Sequence, residues 1–309
     1  MRERYQPQLK TYEIHPISVK QIIKGHPWVT MDSYSEKFHP KDKFVVALNR
    51  NRPFALLIHD PTHKDVRARV WSSRGDFGKQ IKSFKNDLGT RIHQAVKKRI
   101  AANILDKRNN LYLVFGEADE IPGLFIQYID GELVIQFYMD FWNQYKDFIV
   151  QQIIKAVNEK INPDTYIENC WIQKRSMTKD AALSMDPNCS YRVVEPKEFG
   201  VKYRVVLGKH YDHGLYTDMS SVRGRIKDQI AASKSLLNLY SYTGAFSLFA
   251  LSLGVEDVVS VDLSEKYLDW LDQNIKLNKD FNPEHHKSMA IDTEKALKKL
   301  ISEKKQFDF

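Results

Sequence analysis

Gly244 and Asp262 stand 18 residues apart in the stretch Leu236 to Leu263, LLNLYSYTGAFSLFALSLGVEDVVSVDL. A carboxylate about 20 residues beyond a glycine turn is suited to accept hydrogen bonds from the hydroxyls of a ribose. A pyrophosphate-bearing dinucleotide asks for three glycines, G-x-G-x-x-G, so that two phosphates can reach the backbone. The turn here offers one, Gly244, enough for a ligand with a ribose and no phosphate. On these residues S-adenosylmethionine fits better than NAD. An ordinary βα turn with a solvated Asp fits the same spacing, and spacing alone leaves both open. Further on, Met289 to Ile291 is predicted to be a strand ending in Asp292. That second acid is placed to meet an adenine amino group if the first holds the ribose.

The elements that would position these residues are short and alternate in type. Leu236, Leu237 and Leu239 suit a buried strand. Ser241, Thr243 and Gly244 interrupt it, and Phe246 to Leu253 follow as a helix that Gly254 can close. Val258 to Val261 form a second strand with Asp262 at its carboxyl end, where ligands bind in such sheets. Ser264 is an N-cap candidate for a helix to about Asn278, with Leu268, Leu271 and Ile275 inward. Thr293 to Ser302 is another helix, and Phe307-Asp308-Phe309 begins a strand. Leu236 to Val255 is 20 residues without a charge, the length of a membrane span, yet the polar cluster at Asn238 to Gly244 argues against one.

With 309 residues, 42% hydrophobic and 28% charged, the chain reads as a soluble globular protein of two or three domains. The N-terminal MRERYQPQLKTYEIHP has no apolar segment of the secretory kind. Cys170 and Cys189 lack metal-ligand spacing, so a cytoplasmic protein with ordinary thiols is expected. His210, His213, His285 and His286 read as loop histidines, not a zinc site. The net charge of +8 is concentrated: Lys64 to Arg108 holds 13 Lys and Arg against 4 Asp. With Trp71, Phe77 and Phe84 interleaved for stacking, this segment suits RNA; a solvated surface is the bland reading.

Before it, Phe44 to Leu48 and Phe54 to Ile58 are strand candidates joined by a hairpin-like loop. Val66, Ala68 and Val70 alternate with Arg67 and Arg69, which would put two guanidiniums on one face. In Gly25-His26-Pro27-Trp28-Val29 a turn feeds a strand, with His26 and Trp28 equally suited to the core. Ile92 to Leu105 is predicted helical with Lys97, Lys98 and Arg99 outward. Leu111 to Phe115, Leu133 to Tyr138 and Tyr166 to Trp171 read as strands, and Phe148 to Val157 as a helix. Glu117 and Asp119, between the first two strands, are better suited to stabilising their loop than to acting as a catalytic pair. A helix begins near Ser220, with Asp218 just before its positive end.

LNLYSYTGAFSLFAL, VVSVDLSEKYLDWLDQNIKLN, the Asp292 strand and the terminal FDF resemble class I S-adenosylmethionine-dependent rRNA methyltransferases with an N-terminal PUA domain, the family of the large-subunit rRNA cytosine-5 enzymes. GHPWV with RARVWS resembles the PUA module, and FGEADEIPGLFIQY the central domain. The resemblance implies an α/β fold: a PUA-like β-barrel at residues 1–73, a central α+β domain at 74–195 and an incomplete Rossmann-like domain at 196–309. It implies S-adenosylmethionine as cofactor, held by Asn238, Tyr240, Tyr242, Thr243, Gly244, Phe246, Asp262 and Asp292. Asp218 and Arg223 would stand at the mouth as a D-x-x-x-x-R element, though Met219 and Ser220 depart from the usual Gln and Arg. Arg67, Arg69, Arg74, Lys97, Lys98 and Arg99 would meet RNA, with large-subunit rRNA the expected partner, no membrane, and a homodimer among the expected assemblies. The family's Asp-Pro-Pro motif and catalytic Cys fall beyond Phe309, so a C-terminally truncated chain, inactive alone, is expected. An RNA-binding or cofactor-binding remnant without turnover is the alternative; an NAD-dependent oxidoreductase is disfavoured by the single glycine.

Overall fold

The computed structural model describes residues 9–160, 167–175 and 179–309. The chain groups into two compact units interleaved in sequence, residues 1–102, 113–127 and 133–180 in the first and 103–112, 128–132 and 181–309 in the second.

The first unit opens with β1 (Thr11–Glu13), α1 (Pro16–Ile23), β2 (Trp28–Thr30), β3 (Phe44–Asn49), β4 (Arg52–His59) and β5 (Val66–Ser72). The strands pair in the order β1-β3-β4-β5-β2, with β1 parallel to β3 and the rest antiparallel. The β3–β4 loop is a two-residue turn with Arg50 at φ 53 and Asn51 at φ 60, the hand that matches strand twist. Phe38, Val45, Ala47, Leu57 and Ala68 form the core under the sheet. No pairing joins β1 to β2 among the described residues, so these strands make an open sheet instead of the expected closed barrel.

The chain continues with α2 (Phe77–Lys82), α3 (Phe84–Ala101), β6 (Asn110–Phe115), β7 (Leu124–Ile129), β8 (Glu132–Phe137), α4 (Lys146–Lys160) and β9 (Asn169–Lys174). Strands β9, β8, β7 and β6 lie side by side in that order. Tyr166, the expected start of β9, lies outside the described residues. Helix α3 begins eight residues before the expected Ile92. The stripe of Ile92 and Val96 extends back through Leu88 to Phe84 in four-residue steps, all four buried, and the helix follows its apolar face. The aromatic residues read as stacking partners for RNA are core instead: Trp71, Phe77 and Phe84 are 3%, 8% and 2% exposed. Phe84 packs against Phe44, Trp71, Phe141 and Tyr145, and Trp71 donates its indole N–H to Asp87 at 2.9 Å.

The second unit contains β10 (Leu183–Ser184), β11 (Arg192–Val194), β12 (Lys197–Glu198), β13 (Val201–Lys202), β14 (Val205–Leu207), α5 (Ser220–Arg225) and α6 (Lys227–Ala231). Its main sheet follows as β15 (Ser235–Leu239), α7 (Ala245–Ser252), β16 (Asp257–Asp262), α8 (Glu265–Leu277), β17 (His286–Ala290) and α9 (Thr293–Ser302). β15, β16 and β17 are parallel in that order. The last residues pair with β15, Leu237 N donating to the Phe309 carbonyl at 3.0 Å and Phe309 N to the Ser235 carbonyl at 3.3 Å. Asp308 accepts from the Lys234 and Ser235 N–H groups, which hold its carboxyl below the usual range.

The two faces of this sheet differ in chemistry. Leu237, Leu239, Val259, Val261, Met289 and Ile291 line one face with Ala296 of α9 and Phe307. On the other, which receives α7, Asn238, Ser260 and Ser288 stand in register across all three strands. The uncharged run Leu236 to Val255 is thus divided between β15, a polar loop and α7, and among the described residues no helix is long and apolar enough to cross a membrane.

Candidate functional site

With residues 307–309 paired to β15 and β16 running parallel beside it, the strand order reverses at β15. The crevice at the carboxyl end of such a strand is where open α/β sheets bind ligands. The loop there takes a strained path: Tyr240, Tyr242 and Gly244 have φ of 56, 52 and 82. A tyrosine in the left-handed region costs on the order of 1–3 kcal/mol and persists only where its surroundings enforce it. Here they do. Ser241 N donates to the Val261 carbonyl at 2.9 Å, Tyr242 N to Asp262 Oδ2 at 2.9 Å, and Gly244 N to the Ser241 carbonyl at 2.9 Å. Thr243 Oγ1 donates to the Gly214 carbonyl at 2.6 Å, and Asn274 Nδ2 to the Thr243 carbonyl at 3.0 Å.

Gly244 is required by packing as well as by its positive φ. A Cβ there would sit 2.4 Å from Leu271 Cγ and Cδ1, so α8 reaches the turn only because the side chain is missing. Gly244→Ala combines left-handed strain with overpacking, and a loss of about 2–4 kcal/mol is expected. Chemical denaturation should show a lower midpoint at constant slope; an unchanged midpoint would mean that Leu271 yields freely.

Asp262, half-buried at the end of β16, is the pivot of the site. Its Oδ2 takes the Tyr242 N–H and its Oδ1 the Ser264 N–H, both at 2.9 Å. A carboxylate has about four acceptor positions, so two are left for ligand hydroxyls. Beside it Leu263 is 77% exposed, an apolar platform next to the acid that suits the flat face of a base. Asp292 lies exposed at the carboxyl end of β17, its Oδ1 capping α9 through the Glu294 and Lys295 N–H groups at 3.0 and 3.2 Å. Tyr240 is 77% exposed at the mouth. Tyr242 packs between Tyr216, tilted against it, and Tyr267, edge-on to it, and accepts from Gly214 N at 3.0 Å. Burial, with Tyr216 and Asp212 adding to it, pushes its pKa up and keeps it a neutral phenol.

Other expected contacts are committed elsewhere. The Thr243 hydroxyl is fully buried and spent on Gly214. Phe246 is half-buried beneath the Arg223 guanidinium, 5.2 Å from its ring centre. Arg223 is 1% exposed and bound through two nitrogens to Glu198, at 2.7 and 3.1 Å. It therefore anchors α5 inside the unit and presents no charge at the mouth, while Asp218 is exposed. His286 lies on β17 and bonds Ser260, so it is no loop histidine. Among the described residues no cluster of His, Cys, Asp or Glu could hold a metal.

Sequence reasoning missed Gly214, Trp270, Asn274 and Leu263. A Cβ on Gly214, at φ 101, would lie 2.3 Å from the Trp270 ring, and Trp270 Nε1 donates to the Arg204 carbonyl at 2.8 Å. Asn274 had a readable signal: it follows Leu271 by three positions, on the buried stripe of α8, where a polar side chain needs partners.

The six basic residues expected to meet RNA lie in the first unit and divide sharply. Arg69 is 5% exposed and paired to Glu117 at 2.9 Å, and Arg99 grips Asp119 through two contacts of 2.6 Å. Both are internal struts, and Asp119, which also accepts from Phe115 N at 2.7 Å, holds its own loop. Arg67 is half-buried and donates to the Pro61 carbonyl. Arg74, Lys97 and Lys98 are exposed.

Residues 167–286 match the model of a family described as S-adenosylmethionine-dependent methyltransferases. The chain is 26% identical to ribosomal RNA large subunit methyltransferase I of Alteromonas mediterranea over 303 residues, 96% of this chain and 72% of the relative. It is 39% identical to ribosomal RNA large subunit methyltransferase K of Neisseria meningitidis over 111 residues, 36% of this chain and 31% of that protein. Among solved structures, a candidate SAM-dependent methyltransferase from Streptococcus mutans superposes with a TM-score of 0.79 at 16% identity, covering 97% of this chain and 75% of the other. A structure of a candidate methyltransferase complexed with SAH gives the same TM-score and identity, covering 97% and 74%.

Proposed function

We infer that this chain is an S-adenosylmethionine-dependent methyltransferase and that it acts on large-subunit ribosomal RNA. The observation that carries the reading is Asp262 at the carboxyl end of β16, fixed by two backbone N–H groups beside a strained single-glycine loop and the exposed Leu263. In it, Asp262 takes the ribose hydroxyls, Leu263 a face of the adenine, Asp292 the adenine amino group and Asn238 the methionine end. Bound there, the cofactor supplies an electrophilic sulfonium methyl; the chain's part is to hold and orient it. Carbon 5 of cytosine is the acceptor favoured by family resemblance, a reaction that needs a thiolate to attack the ring first. Cys170 is buried in β9, and the Cys189 thiol faces the Tyr191 carbonyl; neither is assigned that role. We read residues 1–73 as a PUA-like RNA-binding module and 74–195 as the substrate side, in a cytoplasmic protein.

Calorimetric titration with S-adenosylmethionine, SAH and NADH tests the cofactor, and transfer of labelled methyl to deproteinised rRNA or to ribosomal particles, with mapping of the modified base, tests the substrate. Binding of NADH with S-adenosylmethionine ignored would overturn the reading.

For RNA, the exposed Arg74, Lys97 and Lys98 replace the buried Arg69 as the residues to test. Reversing all three to Glu should weaken RNA binding and flatten its dependence on salt, by about 0.7 in log–log slope for each phosphate of a single strand that is no longer neutralised. None of the three is buried, so the melting temperature should fall only slightly, with most of the loss coming from Lys98, whose Nζ lies 3.6 Å from the buried Asp119. Unchanged affinity and slope would remove this surface from the RNA-binding face.

A further inference from the structure

The register row Asn238, Ser260 and Ser288 crosses a sheet interior where apolar residues would ordinarily stand, and side chains in and around it join into one line. Asn238 Nδ2 donates to Ser247 Oγ at 2.9 Å, Ser247 Oγ lies 2.7 Å from Ser260 Oγ, and Ser260 Oγ lies 2.8 Å from His286 Nε2. Ser247 and Ser260 are fully buried. The line runs from β17 through β16 and α7 to β15, ending at the mouth of the candidate site.

Asn238 Nδ2 donates to Ser247 Oγ, and either hydroxyl can donate across the Ser247–Ser260 contact. With His286 in the tautomer that accepts at Nε2, each hydroxyl passes its hydrogen on, Ser247 to Ser260 and Ser260 to His286. Burial holds the His286 pKa down at about 4, so the ring is neutral near pH 7 and can accept. With one N–H of its amide given to Ser247, Asn238 keeps Oδ1 on the other side of the group, and none of the described residues donates to that oxygen.

We propose that Ser247, Ser260 and His286 are positioning residues which lock the Asn238 amide with Oδ1 toward the ligand, so that the site offers an acceptor to the ammonium of an amino-acid moiety. A reversed amide would offer N–H to an ammonium, two donors face to face. The inference rests on the cofactor reading above and deepens it: it names the group that selects for the amino-acid end of the cofactor over a bare nucleoside thioether.

The test compares two ligands, SAH and 5′-methylthioadenosine, which shares the nucleoside and lacks the amino acid. Titrations of the wild type and of Ser247→Ala, Ser260→Ala, His286→Leu and His286→Gln read the ratio of their affinities. SAH affinity should fall about 3–10-fold in the two alanine variants and in His286→Leu, with methylthioadenosine affinity within about twofold of wild type, in line with loss of one ordered hydrogen bond. His286→Gln, whose amide oxygen can accept from Ser260, should restore the ratio. Equal losses for both ligands would reduce the line to a structural role and overturn the proposal, as would an unchanged ratio in all variants. A wild type that binds neither ligand would bring down the cofactor reading itself, an outcome distinct from wild-type binding with an unshifted ratio.

Discussion

Asp262→Asn should be nearly as damaging to cofactor binding as Asp262→Ala, with affinity for S-adenosylmethionine down about 100-fold in both. An aspartate that met only ribose hydroxyls would tolerate asparagine, since an amide can still bond two hydroxyls. Here both carboxylate oxygens already accept backbone N–H groups, from Tyr242 and from Ser264. Asparagine must turn its NH2 toward one of those donors, leaving an unmade bond that costs about 1–3 kcal/mol. If Tyr242 loses its partner, nothing else holds its N–H, and φ 52 becomes costly to keep. Removal of one charge-assisted hydrogen bond to the ligand, about 1.5–3 kcal/mol, together with loop disorder, reaches the two factors of ten at about 1.4 kcal/mol each. Titration calorimetry reads the affinity, and a thermal melt without ligand separates damage to the loop from weaker bonding to the ribose. Asparagine within about threefold of wild type would show that the two backbone bonds are not what makes the site.

Much of this second unit was legible before the fold was known, for a physical reason. Each element between Leu236 and Ser302 is nucleated by local signals: a short apolar run, a glycine at positive φ, an acid after a strand, Asp292 before Thr293. Helix α9 runs from Thr293 to Ser302 as expected because its N-cap and its apolar stripe, with Ala296 and Leu300 buried, are both local. What could not be read was where side chains spend their hydrogen bonds. Nothing in the spacing says that Thr243 points at Gly214, or that Asn238 is claimed by Ser247, since those partners lie 29 and 9 residues away.

The first unit departs from the sequence expectation where charge and aromaticity suggest surface roles. Trp71 and Phe84 lie in the most basic part of the chain, yet aromatic area is worth most when buried, and both are core. Arg69 alternates correctly along β5, but alternation does not tell which face Glu117 will cover. A basic count over a segment measures its charge, and only the fold shows that two of its arginines are already neutralised by Glu117 and Asp119.

The buried pair behind the site makes the sharpest stability prediction. Glu198 is 0% and Arg223 1% exposed. The surroundings are lopsided. Arg108 also interacts with Glu198, and burial presses its pKa down while Glu198 opposes that and Arg223 adds to it. Tyr203, buried beside them, is kept a neutral phenol by burial and by Glu198. Glu198 thus faces two guanidiniums, of which Arg108 also feels Asp218. Glu198→Met strands Arg223 and takes from Arg108 the larger of its two acidic neighbours, and a loss of about 3–5 kcal/mol is expected. Arg223→Met leaves Glu198 with Arg108 as a substitute partner, so its cost should be smaller by about 1–2 kcal/mol. The double variant Glu198→Met/Arg223→Met should not be additive, because Arg108 already donates to the Thr217 carbonyl at 2.7 Å and the apolar pair fills the volume. Denaturant melts of the three variants read the cycle. Equal single losses would mean that Arg108 takes no part in the charge balance. If instead Glu198 proves the costlier member, the arginine of the D-x-x-x-x-R element serves by carrying α5, and with it Asp218, to the edge of the site.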